Sequence, residues 1–158
     1  MANKKKVANK PNSIVNRRAK FDYELGDDLV VGIALTGLET RAARDGHVQL
    51  KGSFVSIKND ELWLNNASFS LRLNEKGQVG ARSLDTSPRK LLANRKQIDD
   101  FSAKKQAGMS IVPLKLLTNG RYIKVVIALG KGKKNYDKRE TMKRRDQERD
   151  INRAIKNA

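Results

Sequence analysis

The distribution of charge along the chain constrains its fold more than any other feature of the sequence. Residues 1–20 carry seven basic groups and no acidic group, and residues 131–158 carry eleven basic and five acidic groups. The 110 residues between them have a net charge of only +4 and hold seven of the eight aromatic side chains. Because a core needs apolar side chains and clustered like charges repel, we predict one folded body with a basic arm at each end.

Composition excludes several classes of protein. The chain has no cysteine, which rules out a disulfide framework, a thiolate zinc site and thiol catalysis. No run approaches the roughly 20 apolar residues of a membrane helix, and no apolar segment follows the basic start, so we expect no signal peptide. Basic arms usually bind nucleic acid, and the alternative is a charge surplus that only keeps the protein soluble. We therefore expect a soluble, cytoplasmic protein with a polyanionic partner and no membrane contact.

The periodicity of the apolar residues predicts the elements of the body. Thr36 and Glu39 have the spacing of a capping box, and Gly46 supplies a helix stop, so we expect a helix over 37–45. Ser87 and Pro88 are typical of a helix start, which predicts a second helix that ends at Gly108. Strands are predicted over 29–35, 48–58, 61–69, 110–117 and 121–129.

Glycine, proline and asparagine positions predict how these strands are connected. We expect a bulge or sharp bend at Gly52, a bulge or edge position at Pro113, and a tight hairpin turn at Asn119-Gly120. Residues 71–87 lack a period and are predicted to form a loop. About five antiparallel strands with two inserted helices predict a mainly β fold, a small barrel like the oligonucleotide-binding (OB) fold. Periodicity alone leaves an SH3-like barrel open.

Residues for enzyme chemistry are sparse. The single histidine, His47, lies at a predicted turn, where a histidine is usually an ordinary surface residue. The acidic pairs Asp27-Asp28 and Asp99-Asp100 could hold Mg²⁺, but we interpret them as solvent-exposed surface residues. No phosphate-binding loop, nucleophile elbow or His-Glu-x-x-His motif is present. We therefore expect that the protein is not an enzyme and that it has no cofactor and no metal site. The rival hypothesis is an RNA-processing enzyme that uses the acidic pairs with Mg²⁺.

Two basic segments border the body. At the amino-terminal border, Arg17, Arg18 and Lys20 are candidates for phosphate contacts. Asn16 can form a hydrogen bond with a base or cap a helix. The segment 130–139 combines two glycines, which permit close approach, with five cations and the stacking ring of Tyr136. Its candidate phosphate ligands are Lys131, Lys133 and Lys134.

The segment 138–158 has the composition of a helix but only three large apolar side chains, Met142, Ile151 and Ile155. A helix so polar on every side is marginal in water. We therefore predict a tail that is disordered when free and helical when bound. The alternative is a helix docked on the barrel.

At this point the sequence resembles a known family, the bacterial SsrA-binding proteins, also called small protein B, over most of its length. The strongest match is Ala128-Leu-Gly-Lys-Gly-Lys-Lys-Asn-Tyr-Asp-Lys-Arg139, which is similar to the family signature Ala-Lys-Gly-Lys-Lys-x-Tyr/His-Asp-Lys-Arg. Five further segments match in order: Asn16-Arg-Arg-Ala19, Gly32-Ile-Ala-Leu-Thr-Gly-Leu-Glu39, Ile57-Lys-Asn-Asp-Glu-Leu-Trp63, Arg89-Lys-Leu-Leu92 and Val112-Pro-Leu-Lys-Leu116.

The resemblance implies an RNA-binding adaptor for trans-translation. Its barrel would bind the tRNA-like domain of transfer-messenger RNA (tmRNA), and its tail would probe the empty mRNA channel and decoding centre of the small ribosomal subunit. Elongation factor Tu is an implied partner in the delivery complex. The resemblance implies RNA contacts for Asn16 and Leu92, and the full set of candidate RNA-binding residues is Asn16, Arg17, Arg18, Lys20, Arg89, Lys90, Leu92, Lys131, Lys133 and Lys134. It implies ribosome contacts for Tyr136, Asp137, Lys138, Arg139 and Ile155, and we add the tail cations Lys143, Arg144, Arg145, Arg149 and Arg153 as candidates for rRNA contacts.

The sequence departs from the family pattern in three places. Val30 stands where the family often has a carboxylate tied to RNA binding, the segment 85–92 is one residue short and lacks an arginine, and 71–87 does not match. The predicted organisation is a basic arm over 1–15, an OB-like RNA-binding barrel over 16–130 and a basic tail over 131–158. A structural ribosomal or ribosome-assembly protein that binds rRNA permanently remains the alternative function.

Overall fold

The computed structural model describes residues 12–72 and 82–157. This part of the chain contains ten strands and four helices. The helices are α1 (Arg17–Asp22), α2 (Gly37–Arg44), α3 (Arg95–Lys104) and α4 (Asn135–Asn157). The strands are β1 (Ser13–Val15), β2 (Tyr23–Ile33), β3 (Val48–Gln49), β4 (Phe54–Lys58), β5 (Glu61–Asn65), β6 (Ser68–Arg72), β7 (Arg82–Asp85), β8 (Arg89–Leu92), β9 (Met109–Leu117) and β10 (Lys124–Gly132).

Six strands close into a barrel. The larger sheet has the order β1-β9-β10-β2-β8-β5-β4, and β4 also pairs with β9 at Val55 and Ile111, which closes the strands from β9 to β4 into a ring and leaves β1 outside it. The smaller sheet has the order β3-β6-β7, and all pairings are antiparallel. The predicted OB-like barrel is therefore confirmed.

The core lies inside the barrel. Val125, Ile127 and Leu129 alternate inward along β10 and are at most 5% exposed. They belong to one apolar cluster with Leu62 and Leu64 of β5, which are fully buried. The alternation predicted for β10 is thus confirmed, because every second side chain of a strand faces the same side.

Two local predictions hold in the structure. The Oγ1 atom of Thr36 accepts from the Glu39 amide at 3.4 Å, and the Glu39 carboxylate accepts from the Thr36 amide at 2.7 Å, so the capping box begins α2 as expected. Gly46 follows α2 with a φ of 82°. Gly52, with a φ of 76°, divides the predicted strand 48–58 into β3 and β4, which belong to different sheets.

The helix predicted from Pro88 is wrong. Residues Arg89–Leu92 form strand β8, and the helix begins only at Arg95, where the Asn94 amide donates to the side chain of Gln97 at 3.0 Å. Strand β8 lies between β2 and β5 and supplies backbone partners to both. This long-range pairing outweighs the local preference of Ser87-Pro88 for a helix start.

Three strand and loop predictions need correction. Asn66, at a φ of 58°, separates β5 from β6 within the predicted strand 61–69. The predicted loop 71–87 contains the end of β6 and all of β7, and its residues 73–81 lie outside the described part.

The connection between β9 and β10 is longer than the predicted tight turn. Leu117 pairs with Lys124, so the six residues between them form the loop, and Asn119 does not take a left-handed conformation. The guanidinium of Arg44 donates to the carbonyl oxygens of Thr118, Gly120 and Arg121 at 3.4, 3.0 and 3.1 Å. These bonds from α2 fix the loop without a two-residue turn. The register of β9 and β10 shifts beside Pro113, which confirms the bulge predicted there.

The folded body extends past both predicted boundaries. Strand β1 pairs with β9, so residues 13–15 belong to the barrel and not to an arm, and β10 continues to Gly132. Residues 1–11 of the arm predicted over 1–15 lie outside the described residues. Helix α4 contains no buried residue, and its disorder in the free protein stays a prediction. None of the helices in residues 12–72 and 82–157 is long and apolar enough to cross a membrane.

Candidate nucleic-acid interface

Leu92 lies on the outer surface of the barrel. Neighbouring residues of a strand face opposite sides, and accordingly Leu91 is 2% exposed in the core whereas Leu92 is 54% exposed. Gly32 is the cross-strand partner of both Leu92 and Lys124, so these three residues form one row across β8, β2 and β10. A Cβ on Gly32 would lie 3.2 Å from that of Leu92, so the glycine gives Leu92 room beside β2.

The structure adds three residues that the sequence did not single out. Arg121, Tyr122 and Lys124 line one groove of about 390 Å³ together with Leu92 and Gly32, and we call these five residues the Leu92 face. Tyr122 is 68% exposed, and the Arg121 guanidinium lies 5.3 Å from the centre of its ring. An apolar side chain, an exposed ring and two cations are the groups that bind bases and phosphates. The inward alternation of Ile123 and Val125 already implied that Tyr122 and Lys124 face outward.

Val30 lies two residues before Gly32 on the same face of β2 and is 47% exposed. The resemblance placed a carboxylate at this position in many relatives. In this chain the position beside the Leu92 face is therefore apolar.

A second basic surface forms where the tail leaves the barrel. The Lys133 amide donates to the Asp22 carbonyl at 2.9 Å, and its Nζ donates to the Lys20 carbonyl at 3.1 Å. The Lys138 ammonium lies 3.2 Å from the Asp22 carboxylate. We call α1 and residues 131–139 together the tail base. The predicted residues of the two borders thus meet in space.

Phe21 provides the apolar part of the tail base. Its ring has the guanidinium of Arg18 at 5.7 Å and that of Arg145 at 5.9 Å from its centre. Such contacts at exposed sites contribute about 0.5–1 kcal/mol each. Together with the Lys138–Asp22 ion pair they set the direction in which α4 leaves the barrel.

Most of the remaining candidate residues are accessible. Tyr136 is 63% and Ile155 68% exposed, and the Lys134 ammonium lies 5.9 Å from the Tyr136 ring centre. Arg149 and Arg153 pair weakly with the carboxylates of Asp146 and Asp150 one turn earlier, at 3.4 and 3.7 Å. The other exposed cations of the predicted set are Arg17, Lys20, Lys131, Arg139, Lys143 and Arg144, while Asp137 is half-buried.

Two predicted RNA-binding residues are buried and bonded within the protein. Asn16 is 7% exposed, and its Nδ2 donates to the carbonyls of Leu50 and Pro113 at 3.0 and 2.9 Å. Arg89 is 4% exposed and pairs with the Glu39 carboxylate at 2.7 Å. These side chains hold separate elements of the barrel together and present no group to a phosphate in this structure.

The Arg89 guanidinium is fully engaged within the protein. It donates to the carbonyls of Ala67 and Ser87 at 3.2 and 2.6 Å and lies 3.9 Å from the centre of the Phe69 ring. Lys90, its neighbour, faces the other side, is half-exposed and pairs with Glu61. Sequence reasoning missed this difference because it placed both residues on a helix.

The acidic pairs take part in ion pairs. Asp27 lies 2.8 Å from the Lys104 ammonium, and Asp99 lies 3.1 Å from the Arg95 guanidinium. These contacts raise the pKa of Lys104, mainly through the hydrogen bond to Asp27, and that of Arg95, mainly through hydrogen bonds to Asp60 and then Asp99. Within residues 12–72 and 82–157, no three histidine or carboxylate side chains are grouped as metal ligands.

The Leu92 face and the tail base lie at opposite ends of β10. Lys124 begins the strand and Gly132 ends it, and eight steps of about 3.3 Å separate them by roughly 26 Å. One strand therefore connects the two basic surfaces and sets the distance between them.

Comparison with known proteins identifies the family. The family model described as "SmpB protein" matches residues 13–157. An SsrA-binding protein from Shouchella clausii is 46% identical over 143 residues, which cover 89% of each chain, and one from Streptococcus mutans is 41% identical over 89% of this chain and 90% of its own. A solved chain described under "tmRNA-SmpB: a journey to the center of the bacterial ribosome" matches with a TM-score of 0.61 at 36% identity, covering 79% of this chain and 87% of that one. The chain therefore belongs to the SmpB protein family.

Proposed function

We propose that the protein is an RNA-binding adaptor of trans-translation, which binds the tRNA-like domain of tmRNA and brings it to stalled ribosomes. The relatives are named for SsrA binding, and the matching solved structure concerns tmRNA and SmpB in the bacterial ribosome. The observation in this chain that carries the proposal is the Leu92 face, where a half-exposed leucine lies beside an exposed tyrosine and two cations.

The Leu92 face would bind the folded RNA by shape. Leu92 and Tyr122 offer apolar surface to splayed bases, while Arg121 and Lys124 neutralise phosphates on either side. Val30, 47% exposed, enlarges the apolar part at the position where the family often carries a negative charge.

The tail would act on the ribosome. Helix α4 has 23 residues and is roughly 34 Å long. It carries cations on all sides and no buried side chain, which suits a channel lined by rRNA phosphates better than a protein surface. The segment Tyr136–Arg139 lies at its start, and we propose that it contacts the decoding centre after Lys138 leaves Asp22.

Further parts of the proposal follow from the same resemblance. We propose that the protein acts in the cytoplasm, that elongation factor Tu joins the delivery complex, and that the protein performs no catalysis itself. Sequencing of the RNA that co-purifies with the chain from cells tests the central claim. One dominant tmRNA species supports it, whereas whole rRNA would support a permanent ribosomal protein.

The Leu92 face is tested by Leu92→Asp. Full burial of a leucine contributes about 1.5–3 kcal/mol, and about half of Leu92 is left to bury against RNA, so its loss weakens binding to the tRNA-like domain by about four- to twelvefold before charge repulsion is added. Val15→Asp is the matched control, because Val15 is also 54% exposed but lies on β1. Equal affinities of the two variants in a filter-binding assay would refute the assignment of this face.

A further inference from the structure

A narrow groove lined by arginines lies between α2 and the β6–β7 pair. Arg41 contributes from α2, and Arg72 and Arg82 contribute from β6 and β7. The groove has a volume of about 210 Å³ and includes Ala42 and Ser70 in its lining. We call it the arginine groove. None of its residues belongs to the Leu92 face or to the tail base.

The two strand arginines are direct cross-strand partners. Arg72 pairs with Arg82 in the register of β6 and β7, so their side chains leave the same face with Cβ atoms about 4.5–5.5 Å apart. Like charges placed directly opposite each other destabilise a sheet. Such an arrangement is relieved when an anion binds between the two guanidinium groups.

The protein itself supplies little compensation. Within residues 12–72 and 82–157, no carboxylate lies within 4.0 Å of the guanidinium nitrogens of Arg41, Arg72 or Arg82. Asp45 is an acidic residue of the lining, and it has an interaction of its own. Among the described lining residues, three cations against one carboxylate leave a positive excess even when His47 is neutral.

We infer that the arginine groove binds the sugar-phosphate backbone of RNA, an inference that rests on the proposed RNA-binding function. Guanidinium groups match phosphate oxygens with pairs of parallel hydrogen bonds, and cations from both walls can contact one phosphate. The described lining has no Phe, Tyr or Trp ring, and its one ring side chain is that of His47. Contacts to phosphate carry no sequence information directly, so the arginines bind the backbone without reading the sequence.

The position of the groove connects it with the Leu92 face. Both flank α2: Thr40 lines the groove of the Leu92 face, and Leu38 and Arg41 line the arginine groove. A helix with its side chains is about 10–12 Å wide, so a single folded RNA can span the two sites. Arg72 and Arg82 lie in the segment 71–87, which does not match the family pattern.

The test compares two variants with the same loss of charge. Arg72→Ala/Arg82→Ala removes the two strand cations of the groove and keeps Arg41, and Lys58→Ala/Lys96→Ala removes two exposed cations from β4 and α3. Binding of the full chain to the tRNA-like domain, and separately to small ribosomal subunits, is measured from about 0.05 to 0.3 M salt. If the arginine pair binds one phosphate, the slope of log affinity against log salt falls by about 0.7–0.9, which is about five- to eightfold in affinity at 0.1 M relative to 1 M salt. The lysine control keeps the slope of the wild type.

The outcomes separate the sources of the phosphate and the two proposals. A smaller slope with the tRNA-like domain places tmRNA in the groove, and a smaller slope only with small subunits places rRNA there. A double variant with the wild-type slope for both RNAs overturns the inference. If the wild-type chain binds neither RNA, the proposed function is refuted, and the inference that the arginine groove binds RNA is refuted with it.

Folding of the variant is checked in the same experiment. Because the substitution removes a like-charge pair, the double variant should melt at or above the wild-type temperature in a circular dichroism scan. Arg41→Ala changes the groove from the helix side and leaves the β6–β7 pair intact. This variant should also reduce the slope of log affinity against log salt, as the double variant does. An unchanged slope would count against the groove.

Discussion

Arg89 offers the sharpest separation of a structural from an RNA-binding role. The sequence makes it a candidate RNA-binding residue, whereas the structure buries it against Glu39 with side-chain exposures of 3% and 9%. The variant Arg89→Ala removes the cation, its hydrogen bonds to Ala67 and Ser87 and its contact with the Phe69 ring. We expect it to destabilise the barrel and to leave the RNA-binding surface of the folded protein unchanged.

The expected cost follows from what remains. Without Arg89, the buried Glu39 carboxylate keeps only its hydrogen bond from the Thr36 amide at 2.7 Å. Breaking a buried ion pair by removal of one partner costs about 3–5 kcal/mol, because an uncompensated charge stays behind. Domains of this size are stable by about 5–15 kcal/mol, so the variant should fold but melt roughly 6–20 °C lower.

The assay pairs urea denaturation with RNA binding, and Arg95→Ala is the control. Arg95 also has two carboxylate neighbours, Asp60 at 2.8 Å and Asp99 at 3.1 Å, but its side chain is 62% exposed. Exposed pairs contribute about 0–1 kcal/mol, so this variant should unfold close to the wild type. The reasoning is refuted if Arg89→Ala unfolds like the wild type and binds the tRNA-like domain tenfold more weakly.

Three further predictions concern the tail, a helix cap and acid stability. A chain cut after Lys134 should still bind the tRNA-like domain in a filter assay but fail to support peptide tagging; a large loss of RNA affinity would contradict this division. Thr36→Ala should cost about 1 kcal/mol in urea unfolding, because the capping box of α2 is lost; an unchanged midpoint would argue against it. The pKa of Asp85 is lowered, first by the side-chain hydrogen bond from Ser87, then by its backbone amide. The Asp85 carboxylate therefore stabilises the fold at pH values above its ordinary pKa of 3.8, and this contribution is lost as the pH falls through the lower pKa of the folded protein. Asp85→Asn should flatten the dependence of unfolding free energy on pH below about pH 4. An unchanged slope in that pH range would contradict this.

Local chemistry was enough to predict several elements. The capping box at Thr36, the bend at Gly52 and the inward alternation of β10 depend on residues within one or two turns of each other. The near-neutral, aromatic-rich middle of the chain likewise indicated where a core could form. These features were predictable because their causes are short-range: a side chain that reaches its own backbone, a glycine without a Cβ, and the two-residue period of a strand.

Tertiary structure decided the segment that matters most for the site. Ser87-Pro88 favours a helix, yet Arg89–Leu92 becomes a strand because β2 and β5 each need a backbone partner there. A helix would have separated Leu91 and Leu92 by about 100°, whereas the strand sends one into the core and the other to the RNA side.

The same long-range pairing set the roles of the arginines. The sequence alone shows that the chain is strongly basic and where its basic residues lie. It does not show that Arg89 meets Glu39 from fifty residues away, or that Arg72 lies directly opposite Arg82. Which cations stabilise the barrel and which remain free for phosphate depends on contacts between distant parts of the chain, and only the closed barrel brings those parts together.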